Sequence, residues 1–300
     1  MHRLFTALTL PLLIFSLAAA QKGPDREGEN LLGAVRSVRS QMTEYSDGDS
    51  QGESRTRQRD LVTYDARGKE VERTIYDDYG FLVGKEVYAR DANGNLIESV
   101  LSDPKGVAME RQTYAYANAK LAEIVGHDGR GNVGLREVYA YDEDGRLREV
   151  TYYEGREAVG KTAYSYDGQG RVSEVAFYLA DGSRAVAPVG PCLGAHRVTY
   201  SYDEMGRPAK VIAYEPDGNP EKSWQYSYNP AGQLAEDIRE DAWSRTTFVY
   251  AYEYDSRGNW IKQIATVSGQ PKLGQLDFDE TTQMTPDKRR VIISREIAYY

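Results

Sequence analysis

The 300 residues carry 37 Lys and Arg against 46 Asp and Glu. That acidic balance, −9 in formal charge, excludes a surface built to neutralise phosphates, whether of nucleic acid or of anionic lipid. One cysteine, Cys192, excludes an internal disulfide, so sheet pairing and burial must hold the chain. The aromatics are skewed, with 24 Tyr against 6 Phe and 3 Trp. Tyr forms strands and has an apolar body with a wet tip, so the composition predicts sheets with half-exposed faces.

In chain order, residues 1–20 read as a signal peptide. Arg3 precedes an apolar run from Leu4 to Leu17, and Ala18-Ala19-Ala20 offers small residues before a cut at Gln21. The run is short for a bilayer, which needs ~20 apolar residues, so no membrane span is expected after cleavage. Residues 21–33 read as a polar linker and 34–300 as one β domain. Val35 to Tyr45 alternates as a first strand, and Ser46 to Ser54 reads as an acidic loop.

A repeat follows, over about residues 60–265. The residue before each turn is Tyr64, Arg90, Tyr116, Tyr141, Tyr166, Tyr202, Tyr228 and Tyr254, at spacings of 26, 26, 25, 25, 36, 26 and 26. In each copy an alternating run enters Asp, and Gly stands three residues later. Asp can bond the backbone of the turn it opens, and Gly supplies the positive φ of a bulged hairpin. Gly145, Gly170, Gly206, Gly232 and Gly258 are the expected turn glycines. A second run then ends at another turn, at Gly129, Gly155, Asp181-Gly182 or Asp217-Gly218. One copy is thus two antiparallel strands and two turns.

Tyr-x-Tyr recurs from Tyr114/Tyr116 to Tyr252/Tyr254. Residues two apart share a face, so one face is a tyrosine ladder and the other is thin. A column of Glu72, Glu98, Glu123, Glu149, Glu174, Lys210, Glu236 and Lys262 stands beside Arg146, Arg171 and Arg207, which can offset it. The long interval holds an insertion, residues 184–196, containing Cys192, His196 and Pro188-Val189-Gly190-Pro191. Extra residues are expected in a turn, so the segment should project from one edge. After a loose stretch from Thr266 to Lys288, residues 289–300 read as a C-terminal capping strand.

The motif Tyr141-Asp142-Glu143-Asp144-Gly145-Arg146-Leu147 and its variants, such as Tyr166-Asp167-Gly168-Gln169-Gly170-Arg171-Val172, resemble the YD repeat of the RHS family. The resemblance implies a surface or secreted role, with binding of carbohydrate or protein. Large members of the family look like spiralling sheets enclosing a C-terminal toxin; this array is short and no separate domain follows it. The expected fold is all-β: tandem hairpins in a long twisted antiparallel meander that can coil on itself. Closure into a barrel stays open at this point.

Chemistry is sparse. His127 sits in a turn, and Cys192 with His196 offers two ligands, too few for structural zinc. Asp-x-Asp-Gly turns lack the remaining oxygens of a calcium loop. No catalytic residue, metal or cofactor is expected. The expected ligand-binding residues are Tyr139, Tyr141, Tyr164, Tyr166, Tyr200 and Tyr202, with Cys192 and His196 on the insertion. The expected role is an exported, non-enzymatic scaffold or binding protein of the cell envelope, in periplasm, on the surface or secreted, taking carbohydrate or protein. Rival expectations are a toxin-associated shell or its remnant, an outer-membrane barrel and an enzyme. The barrel would need strands of ~9–11 residues with an apolar outer face.

Overall fold

The computed structural model describes residues 29–46, 54–77, 79–186, 194–271 and 288–300. The signal-peptide expectation, most of the linker, Cys192 and the prolines of the insertion lie outside the described residues. Eighteen strands follow one another. They are β1 (Val35–Ser46), β2 (Ser54–Tyr64), β3 (Glu70–Tyr76), β4 (Leu82–Arg90), β5 (Leu96–Ser102), β6 (Ala108–Ala117), β7 (Lys120–Asp128), β8 (Val133–Tyr141) and β9 (Leu147–Glu154). The second half comprises β10 (Glu157–Tyr166), β11 (Val172–Leu179), β12 (Arg197–Tyr202), β13 (Pro208–Tyr214), β14 (Pro220–Tyr228), β15 (Leu234–Glu240), β16 (Ser244–Tyr254), β17 (Trp260–Pro271) and β18 (Lys288–Tyr299).

Each strand pairs antiparallel with the one before and the one after. The meander then closes, because β1 pairs with β18 from Val35↔Tyr299 to Ser46↔Arg289. The first strand and the C-terminal capping strand therefore form a ninth antiparallel pair, made between the two ends of the chain. Closure removes the sheet edge that an open meander would offer to another chain.

The turns explain the repeat. In the copy at Asp142, Gly145 N–H donates to the Asp142 carbonyl at 2.9 Å and Arg146 N–H donates to Asp142 Oδ1 at 2.7 Å. Gly145, Gly170, Gly206, Gly232 and Gly258 have φ of 78°, 78°, 77°, 81° and 87°. On the opposite rim the loops after β3 and β5 are the same five-residue loop, in which Asp77 Oδ1 accepts from Tyr79 and Phe81 and Asp103 Oδ1 from Lys105 and Val107, whereas β9 and β10 are joined by the two residues Gly155-Arg156. In the loop after β7 the left-handed residue is Gly131, two places beyond Gly129. Tyr-x-Tyr shares a face by alternation, and a bulge in the strand after each first-rim turn brings its partners to that face: Tyr141 stands opposite Leu147 and Tyr139 opposite Val150, with Arg148 the extra residue.

That face is the concave one. It holds Val62, Tyr64, Val198, Tyr200, Val211, Ala213, Trp224 and Tyr226, all buried, as expected where curvature crowds side chains together. The opposite face carries the glutamate column. Glu72 pairs with Lys85, Glu98 with Arg111, Glu123 with Arg136, Glu149 with Lys161 and Glu174 with Arg197. In all five pairs the cation sits diagonally across on the next strand. The column is therefore offset by these residues and not by Arg146, Arg171 and Arg207, which turn back to their own turn aspartates. These pairs put charge on the outer face of β3–β12, where a lipid-facing wall would carry an apolar band.

The insertion corrects an expectation. The hairpin tip there is ordinary: Leu179 N–H donates to Ser183 O at 2.9 Å and Gly182 N–H to Leu179 O at 3.0 Å. The chain then runs back along β11, with Arg184 opposite Tyr178 and Ala185 N–H donating to Phe177 O. Ladder pairing resumes at His196, whose carbonyl accepts from Phe177 and whose N–H donates to Tyr214 O. The turn at Leu179–Ser183 is therefore separate from residues 187–193, which lie outside the described residues and between two segments that both bond Phe177. Ala185 and Ala195 pack into the apolar cluster of Phe177, Val198 and Trp224, so both ends of the insertion are anchored inward.

Candidate binding site: the tyrosine-lined interior

The second tyrosine of each pair is a stitch between copies. Tyr141 O–H donates to Leu121 O at 2.8 Å, Tyr166 to Leu147 O at 2.6 Å, Tyr202 to Val172 O at 2.6 Å and Tyr228 to Pro208 O at 2.8 Å. The turn arginine of the preceding copy lies over each ring: Arg146 over Tyr166 at 4.8 Å, Arg171 over Tyr202 at 4.5 Å and Arg207 over Tyr228 at 4.4 Å. The same arginines hold their turn aspartates through Nε at 2.7 Å. Asp, Arg and Tyr of the motif thus form one chain of contacts that crosses from copy to copy.

Two copies that depart from the motif keep the contact by other means. Arg90, in the place of Tyr, donates from Nη2 to Glu70 O at 3.5 Å. Lys120, in the place of Arg, sits 4.9 Å over Tyr141. Of the expected ligand residues, Tyr141, Tyr166 and Tyr202 are therefore committed to the wall.

The first tyrosine of each pair is different. Tyr88, Tyr114, Tyr139, Tyr164, Tyr200, Tyr226 and Tyr252 occupy equivalent register positions, opposite Ser99, Ile124, Val150, Val175, Val211, Asp237 and Gln263. They form a row around the interior that is broken only at the seam, by Val62 and Ile297. Burial pushes the Tyr114, Tyr139 and Tyr164 phenols up, and the carboxylate of Glu137 adds to this.

The interior has two unlike halves. Two residues before each row position stand Asp60, Glu86, Gln112 and Glu137 on β2, β4, β6 and β8, then Thr162, Val198, Trp224 and Tyr250 on β10, β12, β14 and β16. On the first half Tyr139 O–H donates to Glu137 Oε2 at 2.6 Å and Tyr114 O–H to Gln112 Oε1 at 2.8 Å. Gln112 is exposed and Tyr88, Tyr114 and Tyr139 are half-buried, so this half reaches solvent. On the second half Phe177, Val198, Ala213 and Trp224 pack with Tyr200 and Tyr226 into a closed apolar cluster. Tyr139 thus lines the open half and Tyr200 belongs to the packed one, while Tyr164 packs beside that cluster at its border.

Near the seam, Arg73 holds buried Glu70 through Nε and Nη2 at 2.8 and 2.9 Å and reaches Asp60 at 3.1 Å. Burial pushes the Glu70 carboxyl up, and Arg73 opposes it. Arg295 lies 3.6 Å over Trp260 and holds Glu29 at 3.0 Å. His196 is half-buried beside the apolar cluster, and its Nδ1 has no hydrogen-bond partner among the described residues. Among the described residues no three His, Cys, Asp or Glu are placed to hold a metal ion.

The sequence reading missed Glu137, Glu86, Tyr152 and the Asp60–Glu70–Arg73 cluster. The signal was the column two residues before Tyr-x-Tyr, which changes from acidic to apolar halfway along the chain.

The RHS Repeat family model matches residues 141–183. No curated protein matches the chain. Among solved structures, a porin-like protein from Bacteroides uniformis is 12% identical, with a TM-score of 0.41, covering 89% of this chain and 99% of that one. The TcdB2-TccC3-TEV structure is 11% identical with a TM-score of 0.25, covering 78% of this chain, which spans 18% of that one. A LolA superfamily protein from Nitrosomonas europaea is 8% identical with a TM-score of 0.21, covering 97% and 94%.

Proposed function

From the premise that this chain is an RHS-repeat protein, we propose that it is an exported, non-enzymatic binding barrel of the cell envelope that takes a carbohydrate or protein chain in its interior. The row of seven tyrosines on the concave face carries the reading. Its partly exposed stretch, from Tyr88 to Tyr164, supplies aromatic faces with polar tips, the surface that suits sugars and extended peptides. Barrels of 16–18 strands commonly leave an aqueous channel, which supports a chain-like ligand beside the polar half. The charged start and apolar run of residues 1–17 support export.

The test is a panel of glycans and peptides titrated against purified residues 21–300, read by calorimetry. A ligand should bind, and Tyr164→Ala should weaken it about tenfold or more while leaving the β spectrum intact. If ligands bind and Tyr164→Ala, Tyr139→Ala and Tyr114→Ala all leave affinity unchanged, the interior is not the site.

A further inference from the structure

The register places one carboxylate among four tyrosines in the open half of the interior. Glu137 on β8 stands directly opposite Tyr152 on β9. Tyr139, two residues along β8, donates its hydroxyl to Glu137 Oε2 at 2.6 Å. On one side Ile124 of β7 separates Glu137 from Tyr114 of β6. On the other, Tyr164 of β10 follows Thr162, whose Oγ1 lies 3.0 Å from Tyr152 Oη. Glu137 and all four rings are half-buried. Burial pushes all four phenols up, and the Glu137 carboxylate adds to this at each, behind Glu86 at Tyr114.

No Lys or Arg among the described residues comes within ion-pair distance of Glu137. This sets it apart from the outer-face glutamates, five of which have a cation, and from Glu70, which holds Arg73. An ionised carboxylate accepts up to about four hydrogen bonds, and the Tyr139 hydroxyl supplies one. Three of the ring hydroxyls are tied to neighbours: Tyr139 to Glu137, Tyr152 to Thr162 and Tyr114 to Gln112. The rings are therefore held before any ligand arrives.

We propose that Glu137, with Tyr139 beside it and Tyr152 opposite, forms a cage for an ammonium group on the ligand that enters the barrel, and that Tyr114 and Tyr164, two strands away on either side, flank it. A partly desolvated carboxylate supplies the counter-charge and the rings supply cation–π attraction. The proposal rests on the interior as binding site and adds that the ligand is cationic. Two sources offer that group: a lysine side chain of a peptide, or the free amine of an amino sugar.

The experiment titrates the protein with N-acetyl-lysine methylamide and with a tetramer of glucosamine, each beside its uncharged counterpart, N-acetyl-glutamine methylamide and the N-acetylated tetramer. At least one cationic probe should bind about tenfold more tightly than its neutral counterpart. Glu137→Gln should remove that preference, and Glu236→Gln on the outer face should not. Which probe wins identifies the source. Glu137→Asp keeps the charge and covers the case in which Glu137→Gln melts early; it should retain a preference for the cation. Equal binding of cationic and neutral probes, or a preference that survives Glu137→Gln, overturns the cage. If neutral glycans bind and Tyr164→Ala weakens them while Glu137→Gln does not, the interior remains the site and only the cage fails. If no probe binds and the wider panel also fails, both readings fall.

Discussion

At the scale of residues, the repeat motif is a device for joining copies. Asp167 receives the Gln169 and Arg171 amides at 2.9 Å, Arg171 reaches over Tyr202, and Tyr202 reaches back to Val172 O. Tyr202→Phe removes only the hydroxyl and should cost about 0.5–1.5 kcal/mol in urea unfolding. Asp167→Ala removes the acceptor of two turn amides and the arginine's anchor, and should cost more, about 1–3 kcal/mol. Equal effects would show that the aspartate does nothing beyond what the phenol does.

Ala119 makes the opposite case, because it sits at φ 61° where other copies have Gly. Ala119→Gly should stabilise by about 1 kcal/mol, since a side chain there is strained. A lower denaturation midpoint in that variant would contradict the turn assignment.

The stitch also sets a pH range. Burial and the Asp167 carboxylate push the Tyr202 phenol up to about 12, and burial and Asp203 do the same for Tyr228, from an ordinary value of 10.0. Folding favours their neutral form. That contribution is complete below about pH 10 and is lost as pH rises towards 12. The Arg171 hydrogen bond holds the Asp167 carboxyl below 3.8, so its contribution is present above about pH 4 and falls away in acid. Melting temperature should fall at both extremes. Tyr202→Phe should blunt the alkaline fall and leave the acid one unchanged.

At the scale of elements, the hairpins were legible because period and turn chemistry agree: alternation sets the faces and Asp-x-x-Gly sets the turns. Which face became concave was not legible. Alternation shows that Tyr139 and Glu137 share a face, but only the closed sheet makes that face an interior. The expectation that the extra residues sit in a turn did not anticipate that the tip at Leu179–Ser183 is an ordinary one and that Arg184 and Ala185 run back along β11, with residues 187–193 outside the described residues. Excising residues 186–195 and joining Ala185 to His196 restores the common spacing. Ala195 leaves a small gap beside Phe177, so a loss of about 1 kcal/mol is expected, with the β spectrum unchanged. Unfolding of the shortened chain at ordinary temperature would make the segment a structural plug.

At the scale of the molecule, closure depends on pairing the two ends of the chain. Val38 meets Ile297 across nearly the whole sequence, whereas every other strand pair forms between neighbours in the chain. Closing a loop of that length costs about 3 kcal/mol more in chain entropy than closing a hairpin of about 12 residues. The seam therefore needs contacts of its own, and Asn259 supplies them from the slot that Arg fills in other copies. Its Oδ1 accepts from Leu32 N at 2.6 Å, and its Nδ2 donates to Leu32 O and to Tyr299 Oη, both at 2.8 Å. Tyr299 also donates to Asp255, with Arg257 over its ring. Asn259 is 3% exposed but Leu32 is 53% exposed, so Asn259→Ala removes three hydrogen bonds of the seam while water can reach the Leu32 backbone. The expected cost is about 1–3 kcal/mol. Long-range pairing forms late, after the local hairpins, so the loss should appear as faster unfolding with the refolding rate nearly unchanged. Hydrogen exchange should show β1 and β18 opening together while the amides of β6–β13 keep their protection. Slower refolding at unchanged unfolding rate would mean that the seam nucleates the barrel and the hairpins follow it.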